Sequence, residues 1–162
     1  MAAPLRGTSF EKSTKEGFHS LYQFIHGANL NSSQTNMTSL VVTSIAQSCQ
    51  GSFRSCWVNF FLPSSSKPNP ELSLKLDERK AQCVAVRKFS RFARVDSINQ
   101  EMEALAASLD NYSSMGLSRT MTSSGIVKDD KNAFTIVQYN ASHHLLRRLN
   151  EVCLKVGFRG CI

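Results

Sequence analysis

Four side chains near the amino-terminal end carry the most legible chemistry in this 162-residue sequence. Lys15, His19, Tyr22 and His26 stand at i, i+4, i+7 and i+11. That spacing gathers residues on one stripe of an α-helix, which turns about 100° per residue. Phe18, Leu21 and Ile25 define a core-facing seam about a quarter-turn away. A cation, two imidazoles and a phenol beside an apolar seam suit a flat, aromatic, acidic ligand. The ring would lie on the apolar residues while the lysine meets a carboxylate. The same residue types are also ordinary on a solvated helix flank, and spacing alone leaves both readings open.

A second cluster is Tyr139-Asn140-Ala141-Ser142-His143-His144-Leu145-Leu146-Arg147-Arg148. It lies between two strand-like segments and therefore reads as an exposed loop. Its two histidines and two arginines could clamp an anion, ligate a metal, or simply face water. Catalytic motifs are missing: no GxxxxGK[ST], GxGxxG, HExxH, GxSxG or EF-hand loop occurs. Glu101 and Glu103 are two apart on a helical segment and so face different ways, which argues against a glycosidase-like pair. The expectation is a binding protein rather than an enzyme.

Lysine and arginine number 19 against 12 acidic residues, a formal charge of +7 that favours acidic partners. Nucleic acid is disfavoured. The nearest approach to a basic-aromatic strand, Arg87-Lys88-Phe89-Ser90-Arg91-Phe92-Ala93-Arg94, would send its cations to opposite faces. The five cysteines at 49, 56, 83, 153 and 161 form no CxxC pair. An obligate disulfide framework is therefore not expected, and a reducing compartment is the simpler reading. The first residues lack the apolar core of a signal peptide, and apolar runs are too short to span a bilayer. A cytoplasmic location with no membrane span is expected.

The elements that must position these residues follow from periodicity. Helices are predicted over 9–28, stopped by Gly27, and over 96–112, with Ile98, Met102, Leu105 and Leu109 as the apolar stripe. Strands are predicted at 38–45, 55–62, 72–76, 82–92, 134–139 and 149–156. The second half starts with a strand before its helix, whereas the first half has none. The pattern predicts an α+β fold of two pseudo-repeats, each an amphipathic helix on antiparallel sheet, with the first strand missing.

These residues resemble the SOUL haem-binding family, with a flavour closest to its plant members. The resemblance rests on Gly17-Phe18, Leu21-Tyr22-Gln23-Phe24-Ile25-His26-Gly27-Ala28-Asn29 and Met37-Thr38-Ser39-Leu40-Val41. It continues through Phe60-Phe61-Leu62-Pro63, Val84-Ala85-Val86-Arg87-Lys88-Phe89-Ser90, Val137-Gln138-Tyr139-Asn140 and Asn150-Glu151-Val152. The sequence departs from the family pattern at Leu40 (usually proline), Arg91 (usually glycine) and Cys153 (usually tryptophan).

The resemblance implies a single domain over 9–156, with tails at 1–8 and 157–162. Its fold would be a distorted antiparallel β-barrel lacking its N-terminal strand. It implies non-enzymatic binding, buffering or transport of haem or protoporphyrin against the first helix, covered by the loop before the last strand. Carried over by position, the site comprises Lys15, Phe18, His19, Tyr22, Gln23 and His26, joined by His143, His144 and Arg147. Lys15 or Arg147 would pair with propionates, and His19 or His26 is the candidate iron ligand. A missing strand would also leave a sheet edge open to a protein partner, the alternative function.

Overall fold

The computed structural model describes residues 1–5, 10–37, 40–47, 53–60, 67–114, 127–128, 133–139 and 148–157. In chain order these give β1 (Ala2–Leu5), α1 (Phe10–Ile25), β2 (Val41–Gln47), β3 (Phe53–Phe60), β4 (Val84–Phe89) and α2 (Val95–Ser114). They end with β5 (Val127–Lys128), β6 (Ala133–Gln138) and β7 (Asn150–Gly157). The fold is α+β. An antiparallel sheet runs β1-β3-β2-β6-β7-β4, and β5 pairs with the end of β7 off that path.

Cross-strand register explains why both helices cover one face of this sheet. Val58 pairs with Thr43, Thr43 with Ile136, and Ile136 with Val152, so all four side chains point to the same side. Val58 packs in a cluster with Leu21, Phe24 and Ile25 of α1. Ile136 and Val152 pack with Ile98 and Leu105 of α2. The opposite face carries Val42, Ser44, Thr135, Val137, Cys153 and Val86, a mixture that needs only partial cover.

Three expectations are corrected. First, a strand does precede the first helix: Ala2–Leu5 pairs antiparallel with β3, from Ala2↔Asn59 to Leu5↔Cys56. Residues 1–8 are therefore not wholly a tail, since Met1, Ala2 and Ala3 are buried and Met1 and Ala3 pack in the cluster with α1. Ala-Ala-Pro-Leu has weak strand propensity, and Pro4 is tolerated because β1 is an edge strand. The pairing comes from β3, not from local sequence. The edge that prompted the protein-partner reading is occupied by this strand.

Second, residues 72–76 do not form a strand. Pro70–Leu72 is a 3-10 turn capped by Asn69, whose side-chain oxygen accepts from the Glu71 amide at 3.2 Å. Lys75 then makes a single antiparallel bridge to Ala2, with reciprocal amide–carbonyl bonds of 2.8 and 2.9 Å. Third, the sheet does not close into a barrel among the described residues, because β1 and β4 end it on opposite sides. Cys83 is also disulfide-bonded, which removes the cysteine argument for a reducing compartment. Among the described residues no helix is long and apolar enough to cross a membrane.

Candidate functional site

Helix α1 is built to hold its carboxyl-terminal end still. Glu11 stands in its first turn, where an acidic side chain complements the helix dipole. One Glu11 carboxylate oxygen also accepts from the Val95 amide, 3.4 Å away at the start of α2. The helix ends in a Schellman motif: the Gly27 amide donates to the Phe24 carbonyl (3.3 Å) and Ala28 donates to Gln23 (3.0 Å). Gly27 has φ 106°, which only glycine adopts without strain.

Asn29 locks the turn that follows. Its buried side chain donates to the carbonyls of Phe24 (2.9 Å) and Ser33 (2.6 Å). Its oxygen accepts from the amides of Asn31 and Ser33 and from the Ser33 hydroxyl. The chain then folds back on the helix end, where the Thr35 amide reaches the Ile25 carbonyl at 2.8 Å.

On this fixed end the stripe is a row of rings. Phe18 and Tyr22 stack with centroids 6.3 Å apart and planes 23° apart. Tyr22 and His26 stack at 3.9 Å and 27°. His26 Nδ1 lies 2.9 Å from the Tyr22 carbonyl oxygen, which can only accept, so Nδ1 carries a proton and the neutral tautomer that fits is the one with its lone pair on Nε2. Lys15, His19, Tyr22, Gln23 and His26 are all exposed, and Phe18 is half-buried. Five of the nine predicted site residues therefore lie on α1, and His26 follows directly at its end. The other three, His143, His144 and Arg147, fall outside the described residues.

The stripe sits farther from the core than the spacing suggested. The buried residues of α1 are Phe10, Ser13, Gly17, Leu21, Phe24 and Ile25. At about 100° per residue their centre lies nearly opposite His19 and His26, with Lys15 and Tyr22 beside those two and Phe18 at the boundary. Small Ser13 and polar-neutral Gly17 do not register as apolar, so the sequence pattern placed the buried arc too close to Phe18. Exposed Leu30 and Met37 add apolar surface in the loop that follows the helix. Among the described residues no three His, Cys, Asp or Glu side chains gather to hold a metal ion.

A concavity that the sequence did not reveal lies on the other face of the sheet. It encloses about 660 Å³ between the strands and the extended segment after Leu74. Ser44, Thr135 and Cys153 form part of its lining, together with Lys75, Arg79 and Lys80. The charge run Lys75-Leu76-Asp77-Glu78-Arg79-Lys80 was the only available signal, and charge runs usually mark solvated turns. Burial first, and the nearby Glu151 charge second, push the Cys153 thiol up to about 11. At neutral pH it is a small neutral side chain. Glu151 also accepts a 2.9 Å hydrogen bond from the Tyr139 hydroxyl, which holds that phenol above its ordinary value.

A scan against protein-family models matches the SOUL heme-binding protein family over residues 1–155. A search of curated proteins finds no match. The matched span takes in β1, both helices and nearly all of β7. The chain therefore belongs to the SOUL heme-binding protein family.

Proposed function

We propose that this chain binds haem or a related tetrapyrrole on the outer face of α1, as a buffer or carrier that does no chemistry on it. The observation that carries this reading is the stacked row Phe18–Tyr22–His26, fixed at its end by the Gly27 and Asn29 turn. The row spans two helical turns, about 12 Å at ~1.5 Å per residue, which matches the breadth of a porphyrin. Rings stacked along the helix present their edges outward, and edges meet the face of a flat ligand favourably.

The donor set fits the group. Lys15 supplies a cation for a propionate, and an exposed pair of this kind contributes at most about 1 kcal/mol. His26 is the better iron ligand of the two candidates. Its Nδ1–H already bonds to a backbone carbonyl, the arrangement that fixes tautomer and ring orientation in metal-ligating histidines. Bound haem would contribute an open iron coordination position, and Nε2 of His26 would fill it. His19 then serves as a polar neighbour. His143, His144 and Arg147 belong to this proposal as a covering loop on the strength of the family resemblance.

Haemin titration of the purified chain, followed by the Soret band, tests this reading. Saturable binding with a red-shifted band is expected. His26→Ala should change the spectrum to that of a ligand-free iron, His19→Ala should leave it, and Lys15→Ala should weaken affinity by about fivefold or less. No Soret change in the wild-type chain would overturn the proposal.

A further inference from the structure

We propose that the cleft on the face of the sheet opposite α1 and α2 is a second ligand site, one that takes a small organic anion with an apolar body. This site is independent of α1 and of the tetrapyrrole reading. Its residues converge from four parts of the chain. Ser44 of β2, Thr135 of β6 and Cys153 of β7 lie side by side, because Ser44 pairs with Thr135 and Thr135 with Cys153. The segment from Lys75 to Gln82 lines the other side, anchored at one end by the bridge between Lys75 and Ala2.

Charge selects the class of ligand. Among the described residues four cations line the space, Lys75, Arg79, Lys80 and Lys155, against one acidic residue, Asp77. Arg79 is the anchor. It donates to the Ser44 hydroxyl and lies 3.7 Å from Asp77, so its guanidinium is held against the strands, half-buried. A guanidinium has five N–H donors, and these two partners do not exhaust them. A planar fork fixed in this way suits a carboxylate or sulfonate.

The rest of the lining selects an apolar body. Val84, Leu76 and Ala133 contribute walls, and the Cys153 thiol is free. A volume of about 660 Å³ lies within the range of ~300–1,000 Å³ typical of small-molecule sites. It would admit a ligand of a few fused or linked rings, or a folded acyl chain.

Fluorescence titration with anilinonaphthalene sulfonate tests the site, with N-phenylnaphthylamine as the same ring system without its charge. The full chain should bind the sulfonate saturably. Lys80→Glu combined with Lys155→Glu, both on the exposed rim, should weaken the sulfonate by about tenfold and leave the uncharged probe unchanged. Cys153→Trp should abolish both by filling the floor. Should that variant lose its native circular dichroism, the charge-reversal pair decides alone. His26→Ala should affect neither probe. Sulfonate binding that ignores the charge reversal, or that disappears with His26→Ala, overturns the proposal. Failure of haemin to bind the wild-type chain would sink the α1 reading and leave this one standing.

Discussion

The two helices cover opposite ends of one sheet face but use their outward surfaces differently. Over β4 and β7, α2 buries Ile98 and Leu105, packs Met102 and Leu109 beside them, and exposes Glu103 and Tyr112. Its start is closed locally: the Ser97 hydroxyl accepts from the Arg94 amide at 3.0 Å and donates back to nearby carbonyls. Over β1 and β3, α1 buries a face that includes Ser13 and Gly17, and it turns a row of stacked rings outward. An aromatic row on the solvent side adds nothing to the core. The contrast is that α2 exposes one isolated aromatic, Tyr112, near its end, whereas α1 carries a stacked row of rings that packing does not require.

The largest effects test whether these two ends are separate or one cooperative body. Phe24→Ala removes a fully buried ring beneath α1 and should cost about 3–5 kcal/mol. Leu105→Ala beneath α2 should cost about 2–5 kcal/mol. Strands β2 and β6 join the ends through continuous pairing from Val41↔Gln138 to Ala46↔Ala133. Both variants should therefore melt in a single transition by far-ultraviolet and near-ultraviolet circular dichroism. Two resolved transitions would break the comparison into two domains.

A pH scan probes the α2 end alone, through Cys153 on β7. The unfolded thiol loses its proton near 9, while the folded one keeps it until about 11. Between those values the unfolded state binds fewer protons, so stability must fall as pH rises. A shift of this size corresponds to at most ~3 kcal/mol. The stability advantage of wild type over Cys153→Ala, measured by urea unfolding, should shrink across that window and be constant below it. An advantage that does not change with pH would show that the thiol is not shielded.

Smaller still, and more discriminating, is the pair Asn29→Ala and Ser97→Ala. Asn29→Ala leaves buried backbone groups of the turn without partners and should cost about 2 kcal/mol. Because that turn holds His26, the variant should also weaken haemin binding at temperatures where the chain remains folded. Ser97→Ala should lower stability by about 1 kcal/mol and leave haemin affinity alone. Equal effects of the two on haemin would remove the distinction between the helices.

The sequence disclosed local features well and convergent ones poorly. The α2 stripe was legible because Ile98, Met102, Leu105 and Leu109 repeat at helical spacing and nothing competes with them. Gly27 was legible as a stop because a glycine just past the last periodic residue marks a helix end, and its φ of 106° agrees. Strand β1 was not, since Ala-Ala-Pro-Leu has no strand pattern and is ordered by β3. The alternation at 72–76 was real for Leu74, which is buried, but Leu76 is exposed and only Lys75 pairs. On α1 the spacing of Lys15, His19, Tyr22 and His26 identified the stripe, while the tautomer of His26 depends on a carbonyl position that spacing does not specify. The cleft was invisible because Ser44, Arg79, Thr135 and Cys153 meet only once the strands are in register.

The smallest expected effect concerns the link between α2 and its strand. Arg87 Nε lies 2.6 Å from a Glu101 carboxylate oxygen, tying β4 to α2 on the helix-covered face. The pair is short, yet the Arg87 side chain is 43% exposed, so water screens much of the attraction. Arg87→Ala should therefore cost only about 0.5 kcal/mol, within the range of exposed ion pairs, and less at high salt. If packing alone explains α2, a double-mutant cycle of Arg87→Ala with Glu101→Ala should yield a coupling below about 1 kcal/mol. A larger coupling would mean that α2 is positioned electrostatically, and the contrast with the ring-bearing α1 would then be one of fastening as well as of surface.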